Sequence, residues 1–151
     1  MIQRIQSIWL FLSAVVIAGT FFFPFAEITS GNLLFVLKYR GIFEETSHGE
    51  IIRNTAYLLA GILTLILIST LITVFIFKNR ILQMKICLII SLLIIVSSAL
   101  IIYFSTCVVE KSHIEYSVAS GFPILAFILI LLARRSIKKD EELVRSTDRI
   151  R

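Results

Sequence analysis

Charged side chains interrupt this chain so rarely that four long apolar stretches stand out, residues 5–26, 54–77, 86–109 and 116–133. A helix rises about 1.5 Å per residue and needs about 20 apolar residues to cross a hydrocarbon core of roughly 30 Å, so each stretch suffices for one crossing. The backbone must satisfy its own polar groups there, and none of the four shows the ten-residue alternation of a membrane barrel. The pattern therefore predicts an all-α membrane protein: a four-transmembrane-helix bundle with a small extracytoplasmic β-hairpin or sheet. It forms a single integral membrane domain over residues 1–151. Helices are expected at about 2–23, 54–77, 81–107 and 117–139, outer loops at 27–53 and 108–116, and a tail at 134–151.

Local signals refine these bounds. Pro24 disfavours helical geometry at Phe23, which should end the first helix. Pro123 falls within the first two turns of the last helix, where a missing amide costs little. Small residues at Ala14/Ala18, Ala56/Ala60/Thr64 and Ser117/Gly121 recur every four positions and suggest close helix approach, and Ser97, Ser98 and Thr70 are candidates for hydrogen bonds between helices. Outside the helices, Phe35, Leu37 and Tyr39 alternate with Val36, Lys38 and Arg40, after a turn at Ser30-Gly31-Asn32. Ile114, Tyr116 and Val118 alternate as well and could extend the same sheet, since one isolated hairpin is marginal.

Composition agrees with a membrane protein: 58% hydrophobic residues and only 17% charged. The net charge of +5 is informative through its distribution. Eleven Lys and Arg lie in the N-terminal segment, the middle hairpin and the tail, against four (Lys38, Arg40, Arg53 and Lys111) in the outer loops. The positive-inside rule then places the protein in the cytoplasmic (inner) membrane as a multi-pass protein with both termini cytoplasmic. The first helix alone argues the other way, with Arg4 before it and three cations after it, so the hairpin and tail must outweigh it. A cleaved signal peptide fits poorly, because the first apolar run is longer than a signal core and Pro24 precedes Ala26 by two.

Candidate chemistry is sparse. No Asp, Glu, Lys, Arg or His interrupts the four stretches, which argues against an ion-coupled transporter, since an intramembrane ionisable group usually marks an ion path. Cys87 and Cys107 lie twenty helical residues apart, roughly 30 Å and beyond disulfide reach. No Cys-x-x-Cys, Gly-x-Ser-x-Gly, His-Glu-x-x-His or phosphate-binding glycine loop is present. His48 with Glu44, Glu45 and Glu50, and Glu110-x-x-His113-x-Glu115, supply imidazole and carboxylate in the outer loops but lack the clustered spacing of a zinc site. No cofactor, metal or catalytic residue is assigned, and the chain reads as a non-enzyme.

The expected contacts with the membrane surface or a partner are Lys78, Arg80, Lys85, Arg134, Arg135, Lys138, Lys139 and Arg145, with Gln83 on the same hairpin surface. Anionic headgroups attract such residues by ~1 kcal/mol each near the surface. Acids at Asp140, Glu141 and Glu142 dilute the field, and no recognition motif accompanies it, so nucleic acid is not an expected partner. Membrane lipid, other membrane proteins or further copies of the chain are. The leading functional expectation is a structural or partner-binding component. The alternatives are a small transporter or channel for an uncharged or lipid-like substrate, and an enzyme acting at the lipid surface through His48 or His113.

Four segments, "MIQRIQSIWL", "FFFP", "FIFKNRILQMKICL" and "KKDEELVRSTDRIR", span nearly the whole chain in order. Through them it resembles a bacterial membrane-protein family of unknown function, the domain of unknown function numbered 4293. The resemblance implies four crossings and an envelope location, and no activity.

Overall fold

The computed structural model describes residues 5–31, 33–46, 49–76, 79–107 and 113–148. Among them the chain forms helix α1 (Ile5–Gly19), strands β1 (Ala26–Ser30), β2 (Leu33–Lys38), β3 (Gly41–Thr46) and β4 (Gly49–Thr55), helices α2 (Tyr57–Phe75) and α3 (Arg80–Cys107), strand β5 (His113–Tyr116), a 3₁₀ turn (Val118–Gly121) and helix α4 (Phe122–Asp148). The five strands make one antiparallel sheet in the order β4-β3-β2-β1-β5. This corrects the expected all-α class. The protein is mixed α/β, and the sheet takes nearly all of the long connection between α1 and α2.

Among the described residues, three helices are long and apolar enough to cross a membrane, α2, α3 and the last, counted from Val118, and α1 is a shorter apolar helix. With 15 residues it measures roughly 22 Å. It stops because the chain must turn into the sheet. Thr20, Phe21 and Phe22 donate their amides three residues back, the Thr20 hydroxyl caps the Ile17 carbonyl at 2.6 Å, and the Phe25 amide then bonds Leu37 across the sheet. Thus the turn precedes Pro24, and the helix does not reach residue 23. The second helix starts later than expected for a related reason, since β4 holds Asn54 and Thr55 in the ladder opposite Ile42 and Gly41.

Each helix buries a narrow stripe. The stripe runs Gln6, Leu10, Ser13 and Ile17 on α1, with Ala14 also buried, and Leu59, Leu63, Ile66, Thr70 and Thr73 on α2. On α3 it runs Gln83, Cys87, Ile90, Ile94, Ser97 and Ile101, with Ser91 and Ser105 also buried, and on α4 Ala126, Ile130, Ala133 and Ile137, with Leu129 also buried. Alternating steps of four and three are the spacing by which nearly parallel helices interlock. The opposite faces remain oily and exposed, as in Ile8, Phe11, Leu58, Ile68, Leu92 and Ile124. Oily residues on both faces, with the polar Gln6, Ser13, Thr70, Thr73, Gln83 and Ser97 kept to the inside, are what lipid solvation selects, because hydrocarbon gives no reason to hide a leucine. The protein is therefore a membrane protein.

Two cores result. One lies among the helices, around Leu10, Ile66, Ile90, Ile94 and Ile130. The second joins helices to sheet, where Phe25, Leu37, Ile42, Leu59, Leu63 and Ile101 are buried together and Phe35, Tyr39 and Ile114 pack on them. One sheet face thus covers the ends of α2 and α3, with Phe35, Leu37 and Tyr39 turned to it. The Ser105 hydroxyl and the Tyr116 phenol, 3.2 Å apart, add a polar tie between α3 and β5.

The β3–β4 ladder breaks register between Ile42 and Phe43, leaving Arg53 as the extra, bulged residue. Its Nε sits 2.5 Å from Oε2 of Glu44, whose side chain is only 10% accessible while that of Arg53 is 61% accessible. Water screens the cation but not the acid, so removing the cation is the harmful change. Arg53→Ala is expected to cost about 1 to 2 kcal/mol by stranding the carboxylate. Arg53→Ala/Glu44→Gln should recover part of that in a thermal melt of the purified protein. On the opposite face Lys38 bonds Glu50 at 2.5 Å and lies 5.2 Å from the Phe43 ring centroid.

Candidate functional site

The helix direction sorts the molecule into two ends. α1 leads into the sheet, α2 leaves it, α3 returns to it and α4 leaves it again. The sheet therefore occupies one end, and the start of α1, the α2–α3 hairpin and the distal part of α4 occupy the other.

At that second end α3 is built for a tight hairpin. Asn79 accepts the Leu82 amide at 3.1 Å, an N-cap that satisfies one of the orphan donors of the first turn. Arg80 is half-buried, and its Nη1 donates to the Asp140 carbonyl at 2.9 Å, tying α3 to α4. Gln83, expected on the hairpin surface, is fully buried, and its Nε2 donates to the Thr73 carbonyl at 3.1 Å, fastening the end of α2. That placement is a correction, and its cause is the stripe: Gln83 stands four residues before Cys87 on the buried face of α3. Gln6 is buried in the same way on α1. The Oε1 atoms of Gln6 and Gln83 accept no hydrogen bond among the described residues.

Of the other predicted contacts, Lys85, Arg135, Lys138 and Lys139 are exposed and Arg134 is half-buried. Lys78 lies outside the described residues. Arg145 lies on α4, its side chain outside the described set, so its pairing with Glu141 or Asp148 does too. α4 continues unbroken through Arg134 to Asp148, so these cations form part of a rigid helix. Lys138 pairs with Glu142 one turn on, at 3.8 Å.

Between α1 and α4 these residues enclose an open groove of about 580 Å³. Trp9 of α1 forms one side; Leu132, Arg135, Ser136, Lys138, Lys139 and Glu142 of α4 form the other. The Ser136 hydroxyl is spent on the Leu132 carbonyl, at 3.0 Å. Sequence reasoning identified the cations but not the groove, because nothing local in the sequence sets Trp9 against a helix more than a hundred residues away.

Hydroxyls within the helices do not bridge them as expected. Thr70 bonds the Ile66 carbonyl, and Ser97 and Ser98 both bond that of Ile94, all within their own helices. Among the small-residue repeats, Ala14 and Ala56 are buried, but Thr64 and Gly121 are exposed. Gly19 on α1 does make a close approach to α4, where an added Cβ would come within 2.8 Å of the Phe122 ring.

At the sheet end His113 is exposed, with Nδ1 3.8 Å from Oε1 of Glu115. His48 and Glu110 lie outside the described residues. No group of three or more His, Cys, Asp or Glu side chains comes together among the described residues. Cys87 is a free thiol in the apolar core, and Cys107 ends α3, its side chain outside the described set.

No curated protein matches this chain. A family model, "Domain of unknown function (DUF4293)", matches residues 2–150. With that match covering nearly every residue, and with the sheet and membrane-length helices now in place, the chain belongs to the DUF4293 family.

Proposed function

We propose that this protein is a non-enzymatic, partner-binding component of the cytoplasmic membrane, with its cationic end inside and its sheet outside. The observation that carries this reading is the division of the molecule by its apolar helices. The N-terminal segment, the hairpin and the α4 tail hold eleven cations, while the segments at the sheet end hold four. Cations are retained on the cytoplasmic side during insertion, and the rule counts cations near helix ends whatever depth α1 reaches. Partner binding is supported at both ends, by the exposed seven-residue edge strand β4 and by the solvated extension of α4. An edge strand offers unpaired backbone groups to a partner, and Glu50 and the Arg53 bulge limit indiscriminate pairing.

Two measurements test this. A reporter fused after Arg151 should be active only in the cytoplasm; activity confined to the far side of the membrane overturns the orientation. Deleting residues 140–151 should remove at least one partner captured by cross-linking in the native membrane. An unchanged set removes the tail from the mechanism.

A further inference from the structure

We propose that the groove between Trp9 and α4 is a binding site for the headgroup phosphate of an anionic phospholipid, of the phosphatidylglycerol type. The inference rests on the cationic end lying at a bilayer surface, which the proposed function also requires.

Three features of the groove point to that occupant. The first is its order along α4: Leu132, then Arg135 and Ser136, then Lys138 and Lys139, then Glu142. Seven residues of helix carry the lining from Leu132 to Lys139 over roughly 10 Å, and Glu142 lies another turn out. An apolar foot, a cationic middle and an acceptor at the far end match a phospholipid read from acyl chain to phosphate to headgroup hydroxyl. The second is charge. Glu142 is the single acid among the lining residues and is already paired with Lys138 at 3.8 Å. Arg135 and Lys139 join no ion pair among the described residues and stand one turn apart on the same face. Two uncompensated cations fit a lipid of net negative charge better than a zwitterionic one. The third is the aromatic wall. Indole rings favour the headgroup boundary, and Trp9 stands there beside exposed Ile8, Phe11 and Leu12, an oily track along α1 for the acyl chain.

Trp9 is the one tryptophan in the chain, so indole fluorescence, excited at wavelengths too long for its four tyrosines, reports this site alone. The full-length protein, in bilayer discs of phosphatidylcholine, would be titrated with brominated phosphatidylglycerol or brominated phosphatidylcholine. Quenching by the anionic lipid is expected at a much lower mole fraction. Each cation should contribute roughly fivefold to that preference. Arg135→Gln or Lys139→Gln should each reduce it by about that factor, and the double variant should bring it near unity. Glu142→Gln, which frees Lys138, should raise it by a similar factor. Should the double variant fail to fold, Lys139→Gln and Glu142→Gln move the readout in opposite directions and still decide.

Equal quenching by the two lipids overturns the proposal, as does a preference that survives in the variants. A second arm adds glycerol phosphate to the detergent-solubilised protein. A change in Trp9 emission that the same variants abolish would assign the groove to a soluble phosphate and overturn the lipid. None of these outcomes bears on which end faces the cytoplasm, which the reporter fusion reads independently.

Discussion

Gly41→Val is expected to leave little folded protein. Gly41 opens β3 immediately after the two-residue Tyr39-Arg40 turn, with φ +151°, a conformation that L side chains rarely adopt. An added Cβ would run into the Asn54 carbonyl oxygen and lie 3.1 Å from the Thr55 Cα and 3.2 Å from the Ala56 nitrogen. All three obstacles are backbone, so no side chain can swing aside. The same backbone joins sheet to helix, because the Ala56 amide donates to the Arg40 carbonyl at 2.9 Å just before α2 begins. Strain and overpacking together should cost about 3 to 5 kcal/mol, a large share of the stability of any domain of this size. Thermal melting and size-exclusion recovery in mild detergent would measure it. Gly31→Ala is the control: its φ is +62° but its surroundings are open, so only the conformational cost of about 1 to 2 kcal/mol applies. A Gly41→Val protein melting with the parent would refute the close approach.

Phe25→Ala is the second large effect. Phe25 is fully buried in the junction core, its amide donates to Leu37, and its carbonyl accepts from Ser117. It therefore joins three parts of the chain at one point: the exit of α1, the end of β2 and the approach to α4. Truncation leaves a cavity that these backbone bonds prevent from collapsing, and about 3 to 5 kcal/mol is the usual cost for a buried phenylalanine. Loss should concentrate at the sheet, visible as faster proteolysis of residues 26–55 while helix content in circular dichroism persists. Phe22→Ala, at a position 81% exposed, should change stability by no more than about 0.5 kcal/mol. Equal effects of the two substitutions would show that Phe25 does not carry the junction.

What could be read from the sequence divides along solvent. Apolar length revealed the long helices because charge is so costly in hydrocarbon that its absence alone marks a span. Strand alternation at residues 35–38 and 114–116 was visible because that part of the chain faces a core on one side and the outside on the other, whereas Tyr39 and Arg40, expected to continue it, form the turn into β3. The extent of the sheet was harder to see. β4 runs through Ile51, Ile52, Arg53 and Asn54 with every residue exposed, so no inward face imprints a period on it. The end of α1 was overestimated because residues 20–23 are as oily as a helix, and only their turn geometry separates them from one.

The helix-facing stripes were hidden for the opposite reason. On α2 or α3 a leucine is equally at home on the lipid face and in the core, so hydrophobicity carries no phase. The usable signal was polar: Gln6 and Ser13 on α1, Thr70 and Thr73 on α2, and Gln83 and Ser97 on α3 all fall on the buried side. Read as core markers, they would have placed Gln83 inside. The groove could not be found that way, since it depends on how α1 and α4 lie together.

The position of β5 bears on how the molecule is made. β1 is paired on one flank by β2, its immediate successor, and on the other by His113–Tyr116, which the ribosome delivers only after α2 and α3. Until then the nascent chain holds β1 with an open flank. Completion of the sheet thus waits until the two intervening helices have brought the chain back to the end of the molecule it left. A product stalled before residue 113 would keep that flank bare, its backbone donors and acceptors open to another strand.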